Sequence, residues 1–146
     1  MLAYYFGTRE ALLATVLSAL RAEEREALYS TARTWSLRDA ALAMWAYYTD
    51  PDRRAEHQAF FYVYARALQQ PELFTEFAAS LNAWVDVTTE LAVAEGDDDD
   101  TAARRAQLLV SAVRGLLIDR LMSTTPERVD AAFDLLIESM LQPSRR

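Results

Sequence analysis

The 146-residue sequence contains no cysteine, no lysine, one histidine, three glycines and four prolines. Without cysteine there is no disulfide, no thiolate metal site and no thiol nucleophile, a pattern that fits a cytoplasmic protein. A lone histidine, His57, excludes paired-histidine metal motifs, and no metal ligand set is assigned. No stretch approaches the roughly 20 apolar residues of a membrane span, and Arg114 interrupts the longest apolar region, so no membrane partner is expected. Met1 leads into aromatic and charged residues rather than the basic-then-apolar run of a secretory leader. Positive charge is scarce too. All 15 cationic side chains besides His57 are arginine, and the net charge is −7, which argues against general affinity for nucleic acid. Phosphate-cradling glycine loops and a Gly-x-Ser-x-Gly turn are also missing, so no catalytic residue, cofactor or enzymatic activity is assigned.

What is present is the material of helices. Ala, Leu, Arg and Glu dominate, and the few breakers fall where helices start or stop. Asp50-Pro51, Gln70-Pro71 and Thr125-Pro126 each place proline at a first helical position. Ser36 with Asp39 is a capping pattern, and Gly96 before the run Asp97–Asp100 ends one helix and begins the next. The resulting expectation is an all-α domain of about six helices near 8–32, 36–49, 51–69, 71–95, 100–123 and 126–142. Each carries an apolar stripe at three-and-four spacing, such as Leu12, Leu13, Val16, Leu17, Leu20 in the first and His57, Phe60, Phe61, Tyr64, Leu68 in the third. The acidic run lacks the alternating ligands and terminal Glu of a calcium loop, and reads as a solvated turn whose last aspartate, Asp100, caps the next helix.

Two groups of residues stand apart from ordinary core. Aromatics crowd the middle helices, Trp45, Tyr48, Tyr64 and Trp84 with polar tips and Phe61 without one, with His57 and Thr88 beside them. A dry core prefers Leu and Ile, whereas Tyr and Trp need partners for O–H and N–H; either core packing or a cavity for an amphipathic ligand supplies them. Arg114, in an apolar helix, either reaches the surface or points inward toward Asp119, Asp86 or an anionic ligand. The second group is Ser111, Ala112 and Gly115, a small-residue patch that admits a closely packed helix of the same chain or of a second subunit.

The start of the chain, Leu2-Ala3-Tyr4-Tyr5-Phe6-Gly7-Thr8-Arg9-Glu10-Ala11-Leu12-Leu13, reads as a helix end, a tight turn at Gly7-Thr8, and a new helix. Arg9 lies beside the free N–H groups of that helix start, a fitting place for a phosphate. This string resembles the signature of the TetR family of bacterial transcription regulators, at the tail of the DNA-recognition helix; Tyr5, Phe6, Thr8, Arg9, Glu10 and Leu12 match, while Ala3 stands where the family carries tyrosine. The resemblance implies residues 1–7 as a remnant of the recognition helix, and residues 8–146 as a TetR-like C-terminal effector-binding and dimerisation domain. It implies Tyr4, Tyr5 and Arg9 as DNA contacts in an intact protein. It further implies a homodimer through the last two helices (Ser111, Ala112, Gly115, Phe133, Leu136, Met140) and a small apolar or aromatic effector held by Trp45, Tyr48, His57, Phe61, Tyr64, Trp84, Thr88 and Arg114. A ligand-free helical adaptor and a small helical enzyme are the competing readings.

In this reading Met1 falls inside the recognition helix, and a helix-turn-helix requires both of its helices to dock on a duplex. The expected outcome of a gel-shift assay with residues 1–146 at physiological salt is therefore no operator-selective binding; a tight, sequence-selective shift overturns the reading.

Overall fold

The computed structural model describes residues 9–32 and 35–140, and among these the fold is entirely helical. Six helices follow in order: α1 (Arg9–Ala32), α2 (Leu37–Thr49), α3 (Arg54–Gln69), α4 (Thr75–Ala94), α5 (Asp99–Met122) and α6 (Pro126–Met140). Residues 1–7, with Tyr4 and Tyr5, lie outside the described residues. Arg9 is exposed at the first position of α1.

The breakers act slightly differently from expectation. Pro51 and Pro71 each open a single 3₁₀ turn, Pro51–Arg53 and Pro71–Leu73, and the α-helices begin only after it, at Arg54 and Thr75. The tight turn lets proline start a helical trajectory while the chain still changes direction. Pro126 leads straight into α6. Ser36 caps α2, accepting from Asp39 N at 3.1 Å, and Leu37 N donates to Glu95 Oε1 at 2.6 Å, which ties this helix start to the end of α4.

Gly96, at φ 106°, closes α4. Its N–H donates to the Val93 carbonyl at 2.9 Å and that of Asp97 to the Ala92 carbonyl at 3.1 Å, the paired bonds of a Schellman motif. The cap of α5 is Asp98 rather than Asp100: its side chain accepts from Thr101 N at 3.0 Å and from Thr101 Oγ1 at 2.7 Å. These bonds hold the Asp98 carboxyl below its ordinary range, because they favour the charged acceptor. Asp97 turns inward to Arg105 at 2.8 Å, and Arg105 also donates to the Met140 carbonyl at 2.9 Å, strapping this turn to the end of α6.

Two hydrophobic clusters result. The larger joins α2, α4, α5 and α6 around Leu37, Met44, Trp45, Leu109, Phe133 and Ile137, with Ala92 and Ala102 where α4 and α5 approach closely. The smaller joins α1, α3 and α4 around Leu17, Val63, Phe74 and Phe77. The stripe of α1 is only partly used: Leu17 and Ala14 are buried, whereas Val16 and Leu20 are exposed, as is Leu68 at the end of α3. Neighbouring helices cover a narrower arc of those two helices than their sequences present.

Two substitutions test this architecture by urea unfolding. Gly96→Ala places a Cβ on a left-handed backbone and is expected to lower stability by about 1 kcal/mol. Phe133→Ala, which empties the centre of the larger cluster, is expected to cost about 3–5 kcal/mol.

Candidate functional site

Between the two clusters lies a seam where aromatic side chains meet without filling the space completely. Tyr48 and Met44 reach it from α2, His57, Phe60 and Phe61 from α3, Trp84 from α4, and Val110, Val113, Arg114 and Leu117 from α5. Tyr48, Phe61 and Trp84 pack on the larger cluster and Phe60 on the smaller, so the cavity is where the two cores abut. Its free volume is about 30 Å³, room for a water molecule or two and far below the several hundred cubic ångströms of a small-molecule site. The aromatic walls have closed on one another: Tyr48 meets His57 edge-on at 5.1 Å and Trp84 at 6.3 Å, and Phe60 meets Phe61 at 5.1 Å. An open cleft of about 280 Å³ adjoins it, lined by Tyr64, Ser111, Gly115 and Ile118 and sharing Phe61 and Arg114 with the cavity. Those two side chains border both the narrow inner space and the more open outer one.

His57 is 5% exposed. One ring nitrogen donates to the Tyr47 backbone carbonyl, while Nε2 is buried and has no hydrogen-bond partner. Burial pushes its pKa below the ordinary 6.5, against the opposing pull of Glu56. The ring is thus neutral near pH 7, and a nitrogen that does not donate is an acceptor. Around it, Tyr47 is held by Arg53, whose guanidinium lies 4.0 Å from the ring centre and pairs with Glu56 at 3.3 Å.

Arg114 is half-buried with its guanidinium 5.6 Å from the Tyr64 ring centre. Neither Asp86 nor Asp119 pairs with it, and both are exposed. Three other half-buried arginines have carboxylates, Arg53 with Glu56, Arg105 with Asp97 and Arg120 with Asp130, whereas Arg66 donates to Gln69 Oε1 at 3.0 Å.

Of the expected ligand contacts, the structure gathers Tyr48, His57, Phe61, Trp84 and Arg114 at the cavity and sets Tyr64 in the adjoining cleft. Trp45 goes elsewhere. It stacks on Phe133 at 4.3 Å and its Nε1 donates to Asp130 Oδ1 at 3.2 Å, so its polar tip is satisfied from α6. Thr88 is buried and satisfied within its own helix, donating to the Trp84 carbonyl at 2.7 Å. Met44, Val110, Val113 and Leu117 complete the walls; they sit on ordinary apolar stripes, and nothing in their spacing separates them from core.

A second surface lies on the outside of α5. Leu108, Ser111, Gly115, Ile118 and Met122, alternately three and four apart, form an exposed stripe, and Leu108 is 58% and Met122 82% exposed. Among the described residues, a Cβ added at Gly115 would meet nothing within 4 Å, so no described helix requires that glycine. Ala112 is half-buried, and Leu136 and Met140 pack against the larger cluster. Phe133, expected to face a second subunit, is 1% exposed in the core because it is the platform for Trp45. Leu135, 65% exposed, takes the outward position on α6.

Residues 36–143 match the family described as tetracyclin repressor-like, C-terminal domain. The chain belongs to this family. It is a TetR-family regulator domain, and the all-helical order of α2 to α6 is the part of the fold that the match spans. Comparison with curated proteins and with solved structures gave no significant match. No described helix of this TetR-like domain is long and apolar enough to cross a membrane.

The depressed His57 pKa carries a sign. The unfolded chain takes up a proton below about pH 6.5 while the folded chain resists it, so the contribution of neutral His57 is complete above 6.5 and is lost as pH falls toward the folded value. Thermal unfolding from pH 7.5 to 5.5 is expected to show a melting temperature that drops more in the wild type than in His57→Phe; parallel profiles overturn the assignment.

Proposed function

We propose that this chain is the effector-binding and dimerisation domain of a TetR-like bacterial transcription regulator, with the seam cavity as the effector site. The observation that carries the reading is the pairing of a narrow aromatic cavity with an open cleft across Phe61 and Arg114. An effector enters by displacing those two side chains, joining cleft and cavity into one site of ordinary ligand size. Because the closed arrangement packs the aromatic rings together, a ligand favours the opened one through differential affinity. Opening shifts α3 against α5, and α1, which packs on α3 and α4, passes the shift toward its N-terminal end, where Arg9 stands among the implied DNA contacts. The contents of the walls favour a small apolar or aromatic molecule over a sugar phosphate or a polycation.

A homodimer completes the proposal. The exposed stripe of α5 presents Leu108, Ile118 and Met122 with the small Ser111 and Gly115 between them, which suits the same helix of a second copy related by two-fold symmetry, and Leu135 on α6 is exposed as well. Ser111, Gly115 and Ile118 also line the outer cleft, so the second copy closes the mouth of that cleft behind the effector. A specific observation also supports a rival: the cavity is tight enough that a ligand-free helical dimerisation or adaptor module accounts for it equally. Enzymatic turnover has no comparable support.

Light scattering at micromolar concentration is expected to give a dimer mass. Gly115→Leu separates the two roles of that position, since a helical Gly-to-Leu change without a clash stabilises the fold by up to about 1 kcal/mol while placing bulk on the dimer face. The expected result is a folded monomer; an unchanged dimer removes Gly115 from the interface. For the cavity, a thermal-shift panel of aromatic lipophiles, acyl chains, sugar phosphates and polycations decides between sensor and adaptor. Stabilisation by lipophiles is expected, and no stabilisation by any class favours the adaptor.

A further inference from the structure

Two polar groups at the seam have no use for their hydrogen-bonding capacity within the described chain. His57 Nε2 is buried and unpartnered, and its ring belongs to the cavity wall. Its other nitrogen is already committed to the Tyr47 carbonyl, so the open one can accept but has no proton to give. A buried acceptor left unsatisfied is costly, and a ligand donor would recover that cost. The groups facing it are aromatic edges from Tyr47 and Tyr48, with Glu56 and Arg53 engaged with each other and with the Tyr47 hydroxyl.

Arg114 is the complement. It borders both the inner cavity and the outer cleft, and its planar guanidinium lies near Tyr64 rather than on a carboxylate. A guanidinium is the side chain best shaped to receive a carboxylate in two parallel hydrogen bonds. The cavity that both groups line is otherwise largely apolar, with Phe61, Val113 and Trp84 among its walls.

We infer that the effector is an elongated, largely apolar molecule with a hydroxyl or N–H donor at its inner end, received by His57 Nε2, and a carboxylate at its outer end, received by Arg114. This rests on the ligand-binding reading of the cavity and narrows it to aryl or alkyl hydroxy acids and their amino counterparts. A neutral hydrocarbon satisfies neither end. A bare fatty or aryl acid satisfies only the outer one.

Calorimetric titration with matched probes tests it. The probes are 4-hydroxycinnamate, 4-methoxycinnamate, cinnamate and the methyl ester of 4-hydroxycinnamate, together with the corresponding hydroxy, methoxy, unsubstituted and ester forms of 2-naphthoate. On at least one skeleton the hydroxy acid is expected to bind about tenfold more tightly than its methyl ether, and about tenfold more tightly than its ester. His57→Phe should abolish the first preference and leave the second; Arg114→Met should do the reverse. Should a variant fail to fold, the ranking on the wild-type protein decides alone. Hydroxy and methoxy acids that bind within twofold overturn the role of His57, with water then meeting Nε2; acids and esters that bind equally overturn that of Arg114. No binding by any probe, alongside stabilisation by apolar compounds in the thermal-shift panel, overturns this inference while leaving the cavity a ligand site. Silence in both assays overturns both.

Discussion

Three sets of neighbours make simultaneous demands on α5, and the geometry of one helix has to satisfy them all. Ala102 and Ala106 are fully buried, and Ala102 packs with Ala92 of α4 in the larger cluster, so small side chains set how near the two helices lie. The Schellman turn at Gly96 and the Asp98 cap join these helices through a four-residue connection, which makes them antiparallel neighbours. Further along, Leu109, Val113 and Leu117 belong to the larger core, Val110 and Arg114 reach the cavity, and Leu108, Ser111, Gly115, Ile118 and Met122 face outward. At 3.6 residues per turn these are three arcs of one cylinder. Core, cavity and outer face therefore move together whenever α5 shifts.

The seam itself follows from having two cores rather than one. A single core packs to the density of an organic crystal, and voids within it are small. Where two clusters meet, the side chains of each are fixed by their own neighbours, and the fit between them is only as good as both allow. Phe60 is drawn toward Phe77 at 5.5 Å while Tyr48 and Trp84 are held on the other side. His57 is caught between them, with its second nitrogen anchored on Tyr47. The residual space is small, and His57 Nε2, on its wall, is a buried polar atom without a hydrogen-bond partner.

Charge is used sparingly and mostly at helix ends. Asp98, Ser36 and Asp50 cap helices, and Arg105 and Arg120 fasten α6 to the rest through Asp97, the Met140 carbonyl and Asp130. Asp130 also receives the Trp45 indole, so one carboxylate orders an aromatic stack and an ion pair at once. The acidic run, which by composition is a solvated turn, thus has two structural members, Asp97 and Asp98, while Asp100 pairs with Arg104 on the surface.

Helix number, order and approximate limits were legible in the sequence because they depend on local rules: where proline is tolerated, which side chain caps, where glycine must turn, and how apolar residues recur. So was the family, through a short turn motif that the matched segment does not include. Tertiary structure alone decided how each stripe is apportioned. An apolar period identifies a face but not its neighbour, so Phe133 could read as a subunit contact until the stack with Trp45 placed it in the core. Trp45 could read as a cavity wall until Asp130, distant in sequence, satisfied its N–H. The same holds for Gly115, whose local cost is visible in any helix but whose open surroundings are not, and for His57, whose unpartnered nitrogen exists only because four helices converge to exclude both solvent and a protein donor. Local structure is written in neighbours along the chain; burial and hydrogen-bond satisfaction are set by neighbours in space, which no spacing rule specifies.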